Sequence, residues 1–428
     1  MLTLFWIGLL KLRNGEGRPT LEQDNFLPKD CLPYVSVVVA ARNEEYNLTA
    51  CLKSLLAQSY PSKQYEVIVV DDHSTDNTYF IAHALATDHP ILKVIRLSDT
   101  QIENVAIQKW EHRSKKMKLW PVPTKTGQSP MGKQMALDMG IQACRGEIIL
   151  STDADCIVPN AWVESMVKAS EQKVGVVVGF SMLNERCLKT VEHPDEIGEE
   201  CPKEHSLTQK YFHRFLRSLF IKLQSLDLLS LFSAFAGGLK MGVAFACTGN
   251  NLGYRRRVYD ELGGFVNLGS TVAEDNMFLQ WVDRYSKWQI KPICHPDVTV
   301  STHPTKTVKE FIRQRLRWAS NSTENRPSLV CFMVIVYGFY LFLPFALLFA
   351  AFGALSWTLT LIILALKLVP EFLLVLRGLK LFNRMDLLKY FLLLEPCQIV
   401  YVLICGICGL LFKIVWKDRK YSSKPITL

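Results

Sequence analysis

The residues with the clearest chemistry are Asp153-Ala154-Asp155, directly after the β-type run 147–152 (EIILST). Two carboxylates one residue apart at a strand end can reach a single ion together. Such donors suit Mg²⁺ or Mn²⁺, ions that keep open positions and take further ligands from substrate phosphates. Two acids in a solvated loop are commonplace, so the preceding strand is what gives this pair meaning. A second pair, Asp71-Asp72, closes the run 66–70 (EVIVV), where the base and ribose of a nucleotide would dock. Turn and capping chemistry explains Ser74 and Asp76 of the same DDHSTD segment better than it explains two adjacent acids. Lys133 opens a helix and offers a point charge to a diphosphate beside the helix-end amides; a solvated lysine is the plainer alternative. Glu274-Asp275 precedes an apolar run that starts another helix. Acids there are ordinary dipole partners, or a general base aimed at an attacking hydroxyl. Gln314, Arg317 and Trp318 fall at i, i+3 and i+4 and share one helix face. A guanidinium can neutralise a diphosphate leaving group, an amide can orient it, and an indole can stack on a sugar ring. Arg313 and Arg315 suit a competing picture, a basic amphipathic helix lying on anionic headgroups.

The elements that must carry these residues are legible too. The segment 34–41 (YVSVVVAA) is a β-branched run, continuous enough for a buried parallel strand. After a turn at Arg42 to Glu45, the residues Leu48, Cys51, Leu52, Leu55 and Leu56 form one apolar helix face, stopped at Tyr60-Pro61. The run 66–70 is a second strand, Ser74 or Asp76 can cap a helix through Ala86, and 92–97 is a third strand. This βαβαβ rhythm predicts an α/β fold with a parallel sheet and right-handed crossovers. Ligands of such sheets sit beyond the carboxyl ends of the strands, which places Ala41, Asn43 and Glu44 next to Asp71 and Asp72. Beyond a charged loop at 99–132 come a helix at 133–143, the strand 147–152, a helix after Pro159 and a strand at 174–180. Residues 184–207 read as an acidic loop, and 226–247 as an apolar element. Asp227, Gly237-Gly238 and Lys240 make that element interfacial or acceptor-side rather than a span.

With 428 residues the chain exceeds one compact domain, for which ~100–200 residues is usual. Three runs, roughly 328–352, 355–376 and 388–412, approach the ~20 apolar residues that cross a bilayer. Lys367, Pro370 and Glu371 interrupt the second, and Glu395-Pro396 the third. The expected division is a membrane-proximal segment at 1–30, a catalytic domain at 31–325, and a transmembrane region with a basic tail at 326–428. The net charge of +9 does not imply nucleic acid. Many of the cations, among them Arg326, Arg377, Lys380, Arg384, Lys389, Lys413 and Lys417, flank the apolar runs, as headgroup contacts on the cytoplasmic side do. If all three runs cross from a cytoplasmic catalytic domain, the basic tail lies outside. Either it breaks the charge rule or one run is re-entrant or interfacial. The start, MLTLFWIGLLK, lacks a basic n-region and a cleavage site, so it reads as a membrane-dipping anchor or the stub of a span. Twelve cysteines show neither a disulfide framework nor zinc spacing.

Taken together, VSVVVAARNEE, EVIVVDDHSTDNT, GKQMAL, STDAD, Glu274-Asp275 and the QRLRW of Gln314 to Trp318 resemble the membrane-bound family 2 glycosyltransferases, the branch with cellulose, chitin and hyaluronan synthases. The resemblance covers roughly 34–320 and then the apolar C-terminal runs. It implies a GT-A fold, a Rossmann-like nucleotide-binding sheet, followed by transmembrane helices in an inner-membrane protein with its catalytic domain in the cytoplasm. It also implies an inverting single displacement from a nucleotide-sugar donor, a UDP-sugar foremost, to a lipid or glycan acceptor. By the same resemblance Asp71 and Asp72 bind the nucleoside and Lys133 the diphosphate. Asp153 and Asp155 hold the metal, with Asp155 nearest the ion, and Asp275 beside Glu274 is the base. Gln314, Arg317 and Trp318 complete the donor and acceptor chemistry. Gly249-Asn250-Asn251 and Tyr254-Arg255-Arg256 are expected on the acceptor side.

Two departures point away from processive polymer export. Ala273 stands before Glu274 where cellulose synthases carry threonine, and the apolar region is small for a secreting synthase. A nucleotidyltransferase would carry a glycine-rich loop after its first strand, where this chain has Arg42-Asn43-Glu44-Glu45. A catalytically silent scaffold would be expected to have lost an acid from one of the pairs, and all are present.

Overall fold

The computed structural model describes residues 10, 32–98, 132–184, 207–245, 249–268, 271, 273–320, 325–411, 414–416 and 419–421. The two long loops and most of the terminal segments expected from the sequence lie outside them. In chain order the elements are β1 (Val35–Ala41), α1 (Leu48–Leu56), β2 (Tyr65–Asp71), α2 (Thr78–Asp88) and β3 (Leu92–Arg96). Then follow α3 (Lys133–Ala143), β4 (Ile148–Asp153), α4 (Trp162–Ala169), β5 (Val174–Gly179), β6 (Ser181–Leu183) and α5 (Leu207–Lys240). Next are β7 (Leu252–Arg255), α6 (Arg256–Glu261), α7 (Glu274–Tyr285), β8 (Gln289–Ile293) and α8 (Val308–Ala319). The long helices α9 (Pro327–Ala351), α10 (Trp357–Leu381) and α11 (Phe391–Leu411) follow. Two compact units emerge, 15–181 with 246–302, and 1–14 with 182–245 and 303–428.

The first unit is built on a seven-stranded sheet of order β3-β2-β1-β4-β7-β5-β8. Both faces of its centre are covered, so β2 is buried at every position and β1 at all but one. Helix α3 lies close enough that a Cβ on Gly140 would meet Val38 Cγ1 at 2.5 Å. The expected face of α1 is the buried one, with Leu48, Cys51, Leu52 and Leu55 in the core. The parallel sheet expected from the sequence is in fact mixed. Strand β7 lies antiparallel between β4 and β5, because the chain reaches it from α5 rather than by a βαβ crossover. Strand register, more than strand order, positions the acidic residues. Ala41 pairs with Asp71 on one side and Ala40 with Asp153 on the other. With neighbouring strands ~4.8 Å apart, the carboxyl ends of β2 and β4 flank the end of β1 at one level. This is the GT-A arrangement, with the acids at the carboxyl ends of neighbouring strands.

Among the described residues, four helices are long and apolar enough to cross a membrane: the three expected ones and α5. The charges that interrupt the apolar runs are turned inward. Lys367 on α10 bonds Glu371 at 2.8 Å and also Glu395 on α11, while Tyr340 on α9 donates to Glu371 at 2.9 Å. Paired in this way, ionisable groups are tolerated in an apolar bundle. Helix α5 meets the length requirement but cannot be a lone crossing. That would leave β5 and β7 on opposite sides of the bilayer, although they are neighbours in one sheet. Residues 241–251 are too few to return, since a span takes ~20.

At the other end of the sheet Glu66 is buried on β2. It accepts from Ser36 Oγ at 2.8 Å, from Lys93 Nζ at 2.7 Å and from the Arg145 backbone N–H at 2.8 Å. Burial alone would raise its pKa, but these donors outweigh it and hold the carboxyl below its ordinary 4.5. A depressed carboxylate contributes stability that is present above the unfolded-state pKa and lost as pH falls through the folded one. Thermal unfolding of the detergent-solubilised protein should therefore show Glu66→Gln destabilised by about 1–3 kcal/mol at neutral pH. The variant's decline in acid below about pH 4.5 should be flatter than the wild type's.

Candidate active site

The turns after β1 and β2 are laced together by local polar bonds. Asn43 sits at φ 54°, a left-handed conformation that asparagine tolerates. Its backbone N–H donates to Ser74 Oγ at 3.0 Å, and its side-chain oxygen accepts from the Thr75 N–H at 2.9 Å. The Glu44 N–H donates to Thr78 Oγ1 at 2.7 Å, and the Glu45 N–H to Asp76 at 3.2 Å. Asp76 also accepts from the Thr78 N–H at 3.0 Å at the start of α2. Neither expected cap holds the N-cap position, which is Asn77 without a side-chain cap bond; Asp76 accepts from the first helical N–H, and Ser74 from the turn after β1.

This lacing forms a rim above Ala41 and Asp71, both buried. Among the described residues, neither carboxylate oxygen of Asp71 has a hydrogen-bond partner. Its nearest cation, Arg96, stands 3.7 Å away with its own side chain half exposed. A fully buried carboxylate without donors is expensive, and a nucleobase N–H is the kind of donor that would meet its need. Asp72, also buried, lies 3.1 Å from His73 Nδ1.

On the far side of β1, Lys133 joins two of the other expected residues. Its Nζ is 2.6 Å from Asp153 at the end of β4 and 3.4 Å from Glu274 at the start of α7. Burial would lower the lysine pKa, but Asp153, Glu274 and Asp275 outweigh it and raise the pKa well above the ordinary value. Gly132 makes the placement possible: at φ 64° and ψ −137° it turns the chain into α3 through a conformation that side chains rarely adopt.

Asp153 and Asp155 are partly exposed at the mouth. Beneath them lie the thiols of Cys51 and Cys156, the latter donating to Asp155 at 3.4 Å. Burial first, then these two carboxylates, push both thiols up. Among the described residues no group of three or more histidines, cysteines and acids converges as a closed metal shell. Two partly exposed carboxylates fit a hard divalent ion that completes its shell from phosphates and water.

Residues to which the sequence assigns no role, or a different one, hold these groups in place. Gln134 is buried next to Lys133. It donates to the Phe265 carbonyl at 2.8 Å and accepts from the Thr271 N–H at 3.2 Å. Thr271 Oγ1 in turn accepts from the Ala273 N–H at 3.2 Å, so α3 fixes the approach to Glu274. Gly249 packs on Asp275, where a Cβ would meet Oδ2 at 2.4 Å. Asn251, expected on the acceptor side, is instead a fully buried tie. It donates to the carbonyls of Phe180 and Val298 and accepts from the indole of Trp162. Tyr254, Arg255 and Arg256 do not line the crevice either. Because β7 runs antiparallel, Arg255 pairs with Ile148 at the amino end of β4. Arg255 and Arg256 spend their guanidinium groups on the backbone carbonyls of Val174 and Cys144.

In the second unit, α8 begins with a capping box between Thr307 and Glu310 and carries Gln314, Arg317 and Trp318 half exposed. Arg315, expected among headgroups, is buried instead. It pairs with Asp227 of α5, and its guanidinium lies 4.2 Å from the Trp318 ring and 4.4 Å from the Phe311 ring.

Paired carboxylates, a lysine at a helix start and a buried acid without a hydrogen-bond partner among the described residues gather at the end of the sheet where α/β proteins take their ligands. The model of "Glycosyltransferase like family 2" matches residues 33–321, and the chain belongs to that family. A second model, "Glycosyl transferase family 21", matches residues 222–425. A beta-monoglucosyldiacylglycerol synthase of Nostoc is 27% identical over 289 residues, 67% of this chain and 48% of the relative. The probable glycosyltransferase YdaM of Bacillus subtilis is 26% identical over 74% of this chain and 64% of its own. The chain thus spans about half the length of the first relative and under two thirds of the second. The mannosyltransferase PcManGT of Pyrobaculum calidifontis, solved with GDP-Man and Mn²⁺, aligns over 96% of this chain and 99% of its own, at 16% identity and a TM-score of 0.48.

The contact of Gly249 with Asp275 sets a test. Gly249→Ala should displace the Asp275 carboxylate and lower sugar transfer by roughly 10²-fold, the usual cost of a ~1 Å misplacement. Nucleoside diphosphate binding by calorimetry should stay near wild type, because Asp71 and Lys133 are untouched.

Proposed function

We propose that this chain is an inverting, metal-dependent glycosyltransferase that moves a sugar from a nucleotide-sugar donor, a UDP-sugar foremost, to a hydroxyl of a lipid or cell-envelope glycan at the cytoplasmic face of the membrane. The observation that carries the reading is Lys133 Nζ, 2.6 Å from Asp153 and 3.4 Å from Glu274. It brings residues from three distant motifs to one crevice at the sheet end.

In this reading the base and ribose settle against Asp71 and Asp72, within the rim formed by Ala41, Asn43 and Glu44. Lys133 meets the diphosphate, exchanging part of its carboxylate contact for phosphate oxygens. Asp153 and Asp155 would hold a Mg²⁺ or Mn²⁺ ion, which when bound supplies charge stabilisation to the leaving diphosphate. Asp275 takes the proton from the acceptor hydroxyl as that oxygen bonds to the anomeric carbon. The bond from that carbon to the diphosphate breaks on the opposite face, so the configuration inverts and a nucleoside diphosphate leaves. Glu274, buried beside Asp275, keeps Lys133 in place. Gln314 and Arg317 are assigned to the departing diphosphate and Trp318 to a sugar ring. A lipid acceptor is supported by the long apolar helices and by the monoglucosyldiacylglycerol product named for the Nostoc relative.

The test is donor hydrolysis and transfer by detergent-purified protein across UDP- and GDP-sugars with Mn²⁺ or Mg²⁺, with diacylglycerol as acceptor. Nucleoside diphosphate should be released from one donor only with the ion present. Asp155→Ala and Asp275→Asn should each lower the rate by at least ~10²-fold. Silence across the panel, with no donor binding, would refute the enzyme reading. Chains of many sugars on a glycan primer would favour processive synthesis over a single transfer.

A further inference from the structure

Helix α8 carries a buried arginine that the proposed chemistry leaves unused. Arg315 is only 6% exposed, and Asp227 on α5 is wholly buried. Arg315 Nε donates to Asp227 Oδ2 at 3.1 Å, with a second bond to the same oxygen from its terminal nitrogen. The other oxygen of Asp227 accepts from the Tyr401 hydroxyl on α11. One carboxylate therefore ties α5, α8 and α11 together. Buried ion pairs of this kind add little net stability over apolar packing, while breaking one partner is costly, so the pair invites an explanation other than stability.

The neighbours of Arg315 supply one. Its remaining terminal nitrogen donates to Gln314 Oε1 at 2.9 Å. Since arginine has no acceptor, that contact fixes which end of the Gln314 amide is the carbonyl and turns the NH₂ end outward as a donor. The same guanidinium stacks on Trp318 at 4.2 Å and on Phe311 at 4.4 Å, and Phe311 meets Tyr401 edge to face. Two of the three residues assigned to leaving-group and sugar chemistry thus touch Arg315 directly.

We infer that Arg315, held by Asp227 and Tyr401, is a positioning residue that orients the Gln314 amide and the Trp318 ring for the transfer step. The inference rests on the proposed role of α8. Lysine would not substitute, because it lacks the planar fork that bonds Asp227 and Gln314 at once while stacking on an indole.

The experiment uses the full chain in lipid nanodiscs, with hydrolysis of UDP-glucose, UDP-galactose and UDP-N-acetylglucosamine in Mn²⁺ as the activity readout. Arg315→Met should lower kcat by ~10–100-fold with little change in donor KM, the mark of lost orientation. Adding Arg315→Met to Gln314→Ala should cost little more than Gln314→Ala alone, because coupled residues are not additive. If the single variant folds poorly, Arg315→Met with Asp227→Leu removes both buried charges. That pair should fold and remain as slow as Arg315→Met. A readout independent of turnover is the ¹⁹F signal of 5-fluorotryptophan at Trp318, identified by its loss in Trp318→Phe, which should shift in Arg315→Met.

An unshifted Trp318 signal, or full kcat in Arg315→Met while Gln314→Ala is impaired, would overturn the inference and leave the role of α8 standing. Full activity in both Gln314→Ala and Arg317→Ala would instead remove the role of α8, and this inference with it.

Discussion

An ammonium group held between the carboxylates of two other elements is the contact on which the crevice depends. Asp153 and Asp155 leave β4 while Glu274 and Asp275 open α7, and like charges this close repel unless a cation stands among them. Lys133 supplies it, 2.6 Å from one carboxylate and 3.4 Å from another. The arrangement needs α3 to begin at that point. Gly132 allows the turn, and Gln134, one residue on, secures the chain leading to Glu274. The register of β1 with β2 and β4 then sets Asp71 and Asp153 on either side of Ala40 and Ala41. A diphosphate reaching this crevice would find a cation already held and a carboxylate pair ready for an ion.

The second unit meets a different electrostatic demand in the same way. Its helices bury Lys367, Glu371, Glu395, Asp227 and Arg315, and each takes part in an ion pair. Large apolar side chains such as Phe345, Leu348, Ile362, Leu366 and Leu392 face outward. That inversion suits a hydrocarbon surround, in which unpaired charge is the chief cost.

Much of the first unit is legible in the sequence. The β-branched runs before Asp71 and Asp153 and the apolar face of α1 depend on local periodicity, and strands β1 to β5 lie within a residue or two of their expected bounds, whereas β7, α6 and β8 are not expected from the sequence. The mixed sheet is not legible, because nothing in the four residues of β7 encodes their direction. The same missing direction puts Tyr254, Arg255 and Arg256 at the wrong end of the sheet when the sequence is read alone. Gln134 looks like an ordinary polar residue and Asn251 like an acceptor-side one until their partners, more than 40 positions away in sequence, are seen. Arg315 reads as a headgroup contact because three arginines within five residues resemble a basic face. Asp227, 88 positions earlier, reverses that assignment. Among paired charges, spacing along a helix reports the face and not the partner.

The most direct measurement is calorimetric titration of UDP and GDP onto the detergent-purified chain, with Mn²⁺ and then with EDTA, in wild type, Asp71→Asn and Lys133→Met. Saturable binding of one nucleotide, lost with the ion, is expected. Each substitution should weaken it by ~10–100-fold, the worth of a hydrogen bond to a charged group. Binding indifferent to EDTA and to both substitutions, or no binding of either nucleotide by folded protein, would contradict a metal-assisted nucleotide site at the sheet end.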